Sequence, residues 1–88
     1  GRKKRFLKMF GKRVNLNEVE ELIKSAGYDC ACTGTDNNLK IYVSKLDDKD
    51  WIRKYIVERT GINLAGFTIF YIEKIPRNEY GKVLYSAL

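Results

Sequence analysis

The segment NLNEVEELIKSAG, residues 15–27, constrains the fold of this chain more than any other. Leu16, Val19, Leu22, Ile23 and Ala26 recur at helical spacing and make one apolar stripe on an otherwise polar helix. Asn15 is placed to cap its start, Glu18 three residues later completes a capping-box pattern, and Gly27 suits a left-handed C-terminal cap. A one-sided helix must lay its stripe on something, and the next residues supply it. YDCACTG (28–34) and LKIYVS (39–44) read as strands joined by the turn-forming TDNN, with Leu39, Ile41 and Val43 on one face.

The pattern then repeats. In DDKDWIRKYIVERTG (47–61), Asp47 or Asp48 caps a second helix and Asp50 favours its positive end. Trp51, Ile52, Tyr55 and Ile56 are expected on its buried side, and Gly61 ends it. FTIFYIEKI (67–75) is mostly apolar, so it is expected to be a central or well-covered strand with its aromatic rings in the core. Upstream, RFLKMF and KRV flank Gly11 as the arms of a short hairpin. The order is β-hairpin, α, β, β, α, β and a closing loop. That is an α+β domain spanning residues 1–88, with two helices packed on one face of a small sheet. The closing stretch IPRNEYGKVLYSAL shows no regular period; Pro76 breaks the strand, and Asn78 and Gly81 suit turns.

Charge is distributed unevenly. Seven of the first 13 residues are basic, whereas residues 14–88 carry 10 basic and 11 acidic side chains. The chain is a near-neutral domain with a cationic leader. Such a leader raises the alternative of a small basic nucleic-acid-binding α+β module. Against it, the basic residues are confined to one end, and the sheet lacks the aromatic signature of an RNA-recognition strand, so nucleic acid is the weaker expectation.

Histidine is absent, which excludes Ser/His and Cys/His nucleophiles. Cys30 and Cys32, two apart on one strand, make poor disulfide geometry and fall short of the roughly four ligands a zinc site needs. They read as reduced core thiols, which together with the lack of a signal-peptide pattern gives the expectation of a cytoplasmic protein. No metal site is expected, and no apolar run approaches the roughly 18 residues of a membrane span. On its own the chain lacks the parts of an independent enzyme. Its reactive groups are lysines, and Lys82 stands out between a turn glycine and the apolar Val83, Leu84 and Tyr85.

Two stretches, read together, resemble the C-terminal domain of the AMP-forming adenylating enzymes, which include acyl-CoA synthetases, peptide-synthetase adenylation domains and luciferases. GRKKRFLKMFGKRVNLNEVEELI is similar to the pattern GRxDxxxKxxGxRVxxxEIE through Gly1, Arg2, Lys8, Gly11, Arg13, Val14, Glu18 and Glu20, with Val19 for Ile. IPRNEYGKVLYSAL is similar to PxxxxGKxxR through Pro76, Gly81 and Lys82, with Tyr85 where that pattern has arginine. GINLAGF stands where the family often has YxxP.

The resemblance implies a lid domain whose adenylation core lies outside this chain, inactive alone. ATP, Mg²⁺ and the acid would bind mainly to that N-terminal adenylation domain of the same parent chain. It implies that Lys82 serves carboxylate adenylation, that Lys4 is the hinge with Arg2 flanking it, and that Gly11 and Lys8 form the thiol-channel loop. It further implies that Arg13 contacts the nucleotide phosphates, and that the acceptor is CoA or the phosphopantetheine of a carrier protein. The surplus charges Lys3, Arg5 and Lys12 are expected to form a solvated cationic rim, with attraction to the CoA nucleotide phosphates or to an acidic carrier protein as the alternative.

Overall fold

In the computed structural model, which describes residues 5–45 and 49–88, the stripe of the first helix lies on a three-stranded sheet, as its spacing requires. The elements run β1 (Phe6–Met9), β2 (Lys12–Asn15), α1 (Leu16–Ser25), β3 (Cys30–Thr35), β4 (Asn38–Val43), α2 (Lys49–Thr60) and β5 (Phe67–Tyr71), with single 3₁₀ turns at Leu64–Gly66 and Tyr85–Ala87. Arg2, Lys3, Lys4 and the cap expected at Asp47 or Asp48 lie outside the described residues.

The strands form two sheets among the described residues: the hairpin β1–β2, and β3–β4–β5 with β4 in the middle. β3 and β4 are antiparallel, and β4 and β5 are parallel. A parallel pair needs a long crossover, which α2 provides. The inward side chains Cys30, Cys32, Leu39, Ile41, Val43, Phe67 and Ile69 meet Val19 and Ile23 of α1 and Ile52 and Ile56 of α2 in one core. Leu7, Met9 and Val14 seal it from the hairpin side. Truncating a fully buried residue such as Ile41 to alanine costs about 2–5 kcal/mol in a core packed like this.

Local signals account for the boundaries. The Asn15 side chain accepts a hydrogen bond from the Asn17 N–H (2.9 Å). Glu18 does not complete a capping box; it stays exposed in the first turn, where its charge suits the helix end. Gly27 adopts φ +95° after α1, and the Tyr28 N–H reaches back to the Ile23 carbonyl, closing the left-handed cap. Gly34 has φ +134°, and a Cβ there would stand 2.1 Å from the Asn38 carbonyl oxygen, so β3 and β4 approach at that point only because the residue is glycine.

Three expectations are corrected. β5 is an edge strand, not a central one, and ends at Tyr71. Only its helix-facing positions are buried, and Phe70 and Tyr71 are exposed, with Phe70 stacked on Tyr42 (5.1 Å between centroids) on the face away from the helices. Its nearly continuous apolar character reflects aromatic residues on the outer face rather than two-sided burial. Trp51 is 45% exposed, because it sits at the margin of α2 between the Tyr28 and Tyr55 rings while Ile52 and Ile56 point inward. The expectation for the cysteines holds: Cys30 and Cys32 are free thiols in the core.

Candidate functional site

Lys82 lies in a small turn built by one asparagine. The Asn78 side-chain oxygen accepts hydrogen bonds from the Tyr80 and Lys82 N–H groups (2.9 and 3.0 Å), and the Asn78 N–H donates to the Lys82 carbonyl (2.9 Å). Gly81 takes φ +82°, which a side chain would oppose. Arg77 and Val83 pair across the base, and the Leu84 N–H donates to the Pro76 carbonyl. The Lys82 side chain is exposed and makes no hydrogen bond or ion pair among the described residues.

Both flanks of this turn are pinned. Before it, Ile75 is fully buried and the Arg77 guanidinium donates in fork geometry to both Asp29 oxygens. That bond holds the Asp29 carboxyl below its ordinary range and raises Arg77. After it, the Tyr85 hydroxyl donates to the Glu20 carboxylate (2.9 Å to Oε2).

Glu20 is the one buried charged residue among the described residues. Its carboxylate also accepts from the Cys32 N–H (2.8 Å) and lies 3.0 Å from Arg5 Nη2. Arg5 in turn donates to the Asn17 side chain through Nε and Nη2 and to the Cys32 carbonyl through Nη1 (2.9 Å). Its guanidinium rests 4.2 Å from the centre of the Tyr85 ring, a cation–π distance. Burial first, and then hydrogen bonding with Glu20, push the Tyr85 hydroxyl up to about 12, because a phenolate there would face a carboxylate with little water between them.

This cluster corrects the reading of Arg5 as a solvated rim charge: its side chain is 25% exposed and fully engaged. The role of Glu20 escaped the sequence reading, yet a signal existed. Glu20 stands four residues after Leu16 and three before Ile23, on the buried face of α1, so it is a carboxylate at a stripe position. Lys12 does lie at the surface, where its ammonium reaches the Thr60 carbonyl at the C-terminal end of α2 (3.3 Å).

The other candidates gather at the hairpin tip. Phe10 and Gly11 both have positive φ (52° and 84°), the geometry of a two-residue turn that matches strand twist. A phenylalanine there is unusual, and it is held by neighbours: its N–H donates to the Asn37 side chain (2.6 Å), while the Lys8 N–H donates to the Asp36 side chain (2.8 Å). Gly66, in the GINLAGF stretch, leaves room for the tip; a Cβ there would meet the Phe10 ring at 2.8 Å and the Met9 methyl at 2.9 Å.

Lys8 and Arg13 face each other directly in the β1–β2 ladder. With Phe6, Leu7, Gly11 and Asp36 they line an open recess of about 340 Å³. A Cβ on Gly11 would meet nothing within 4 Å among the described residues, so none of them packs against that position. The structure therefore brings Lys8, Gly11 and Arg13 together and leaves Lys82 out of that recess. Among the described residues no group of three or more His, Cys, Asp or Glu side chains is arranged to hold a metal ion.

The fold has solved counterparts. The chain superposes on part of unliganded O-succinylbenzoate coenzyme A synthetase from Bacillus subtilis with a TM-score of 0.66, at 19% identity and over 96% of its own length. It superposes on part of the amide bond synthetase McbA from Marinactinospora thermotolerans with a TM-score of 0.61, at 13% identity over 93%. In both cases it spans 19% of the other chain. No family model and no curated protein matches the sequence. The α+β fold that the two motifs imply is the fold found.

Proposed function

We propose that this chain is the mobile C-terminal domain of an ATP-dependent, AMP-forming acid–thiol ligase, its adenylation core lying elsewhere in a longer parent. The observation that carries the reading is the Lys82 turn: an unengaged ammonium on a short loop pinned at both ends, in a domain whose fold recurs as one-fifth of two synthetases.

The chemistry asks for such a group. Attack of a carboxylate on an α-phosphate brings two anions together, and charge builds on the phosphoryl oxygens as the bond to pyrophosphate lengthens. A compact cation placed there stabilises that charge more than it stabilises the separated substrates. In this reading Lys82 supplies it. Lys4, flanked by Arg2, is the hinge about which the domain turns. Turning brings the hairpin tip to the site, so that Gly11 and Lys8 border the path of the incoming thiol, from CoA or a carrier's phosphopantetheine, and Arg13 meets nucleotide phosphates. Mg²⁺ and most ATP contacts fall to the adenylation core.

In the parent protein, Lys82→Ala should slow acyl-adenylate formation by roughly 10²–10³-fold while leaving transfer from a supplied acyl-adenylate intact. Equal loss of both steps refutes the role. Lys4→Pro should spare adenylation and impair transfer, because proline fixes φ at the hinge. The 88-residue chain alone should show no turnover.

A second reading, the nucleic-acid module, draws on the Tyr42–Phe70 stack exposed on the outer sheet face. The engagement of Arg5 with Glu20, Asn17 and Tyr85 removes part of the basic leader on which it relied. Submicromolar binding to an oligonucleotide with a steep salt slope would favour it.

A further inference from the structure

We propose that Arg5, Glu20 and Tyr85 form the mechanical link that makes Lys82 turn with the hinge, and that Tyr85 is a positioning residue for Lys82. This rests on the reading given above and assigns a means to it.

Arg5 directly follows the proposed hinge residue, and Tyr85 follows Lys82 by three positions, so the two ends of the chain that must move together are 80 residues apart in sequence. Arg5 is bonded to everything around it. Its carbonyl accepts from the Leu16 N–H (2.9 Å), its guanidinium holds Asn17, Cys32 and Glu20, and its flat face lies on the Tyr85 ring. Glu20 closes the circuit by accepting from Tyr85. The first described residue of the chain and the segment that follows Lys82 thus meet on one carboxylate.

The other tether of the Lys82 turn, Arg77 to Asp29, is exposed and constrains only the preceding flank. Burying a carboxylate is costly, and an apolar side chain of similar size would serve a core as well or better. What a carboxylate with three differently placed donors adds is a fixed geometry. Here that geometry sets where the Lys82 turn stands relative to Arg5, the residue that follows the proposed hinge in sequence.

The test uses the parent enzyme and its two half-reactions. Tyr85→Phe keeps the ring against Arg5 and deletes only the hydroxyl; loss of one hydrogen bond to a charged acceptor should lower the kcat of adenylation by about tenfold. KM for acid and ATP, and transfer from supplied acyl-adenylate, should stay within about twofold. Glu20→Gln should act in the same direction. Because Tyr85 acts through Lys82, Tyr85→Phe should have no further effect in a Lys82→Ala background. Unchanged adenylation in Tyr85→Phe, equal loss of both half-reactions, or additive loss with Lys82→Ala each overturns the link. If Lys82→Ala itself leaves adenylation intact, the functional reading falls and this link falls with it. If Lys82→Ala abolishes adenylation and Tyr85→Phe does not change it, only the link falls.

Discussion

Replacing Glu20 by alanine tests whether the buried cluster holds the domain together. Three donors converge on that carboxylate: the Cys32 N–H at 2.8 Å, the Tyr85 hydroxyl at 2.9 Å and Arg5 at 3.0 Å. Its removal strands them unequally. The Cys32 N–H is buried and left without an acceptor, which costs about 1–3 kcal/mol. Arg5 loses its counter-ion, and stripping one partner from a buried ion pair costs about 3–5 kcal/mol in full burial. Arg5 is only partly buried and keeps Asn17 and the Cys32 carbonyl, so its share is smaller, and Tyr85 is open enough to recruit water.

A total of about 2–4 kcal/mol follows for Glu20→Ala, and about 1–2 kcal/mol for Glu20→Gln, which preserves volume and an acceptor. Against a stability of about 4–13 kcal/mol for a chain of this length, the alanine variant should stand near its limit. Urea unfolding followed by the fluorescence of the single tryptophan, Trp51, with the m-value compared between variants, measures both. A loss below about 0.5 kcal/mol for Glu20→Ala, the range of an ordinary surface change, refutes the reasoning.

Other outcomes follow from single contacts. Tyr85 has a folded pKa raised to about 12 from 10.0, so its share of the stability is complete below pH 10 and is lost as pH rises from there toward about 12; urea midpoints across that range should fall more steeply for the native chain than for Tyr85→Phe. Asp29 carries the opposite sign: its folded pKa is lowered, so the stability from its pair with Arg77 is present above the ordinary carboxylate range and disappears as pH falls through the folded value. Because that pair is exposed, the acid-side difference from Asp29→Asn should stay below about 1 kcal/mol. Gly34→Ala should cost more than about 3 kcal/mol in the same unfolding assay, since both the positive φ and the Asn38 carbonyl oppose a Cβ. The Cys32 thiol, pushed well above its ordinary range by hydrogen bonding with Cys30 and by burial, should react with a thiol reagent only when urea opens the core.

The elements that the sequence made legible are those whose chemistry is local. The Asn15 cap, the Leu16–Val19–Ile23 stripe and the Gly27 stop are all contained within α1 and its ends, and they hold in the structure. The position of β5 was not local. FTIFYIEKI carries apolar side chains at successive positions, and only its register on β4, with the core on one face of the sheet, decides that Ile69 turns inward and Phe70 outward. Arg5 shows the same limit in the leader. Seven basic residues in a row of 13 look alike by charge, and nothing nearby in sequence announces that one of them meets Glu20 and Tyr85. The Lys82 turn lay between: Asn78 and Gly81 announced a turn, while the Asp29 and Glu20 anchors on its two sides come from 48 and 65 positions away along the chain.

The turn between β3 and β4 does more than reverse the chain. Asp36 and Asn37 project side-chain oxygens that receive the backbone N–H groups of Lys8 and Phe10, and the Asn37 N–H returns a bond to the Lys8 carbonyl. The turn is therefore a socket, and the hairpin bearing Lys8 and Gly11 is plugged into it. Surface turns ordinarily tolerate a change of length. Here one added residue would leave the β3–β4 ladder free to form yet carry both oxygens out of register with the hairpin, freeing Phe10 from the conformation that the socket holds. Loop length at residues 35–38, which touches no candidate catalytic side chain, becomes a dial on the geometry of the hairpin tip.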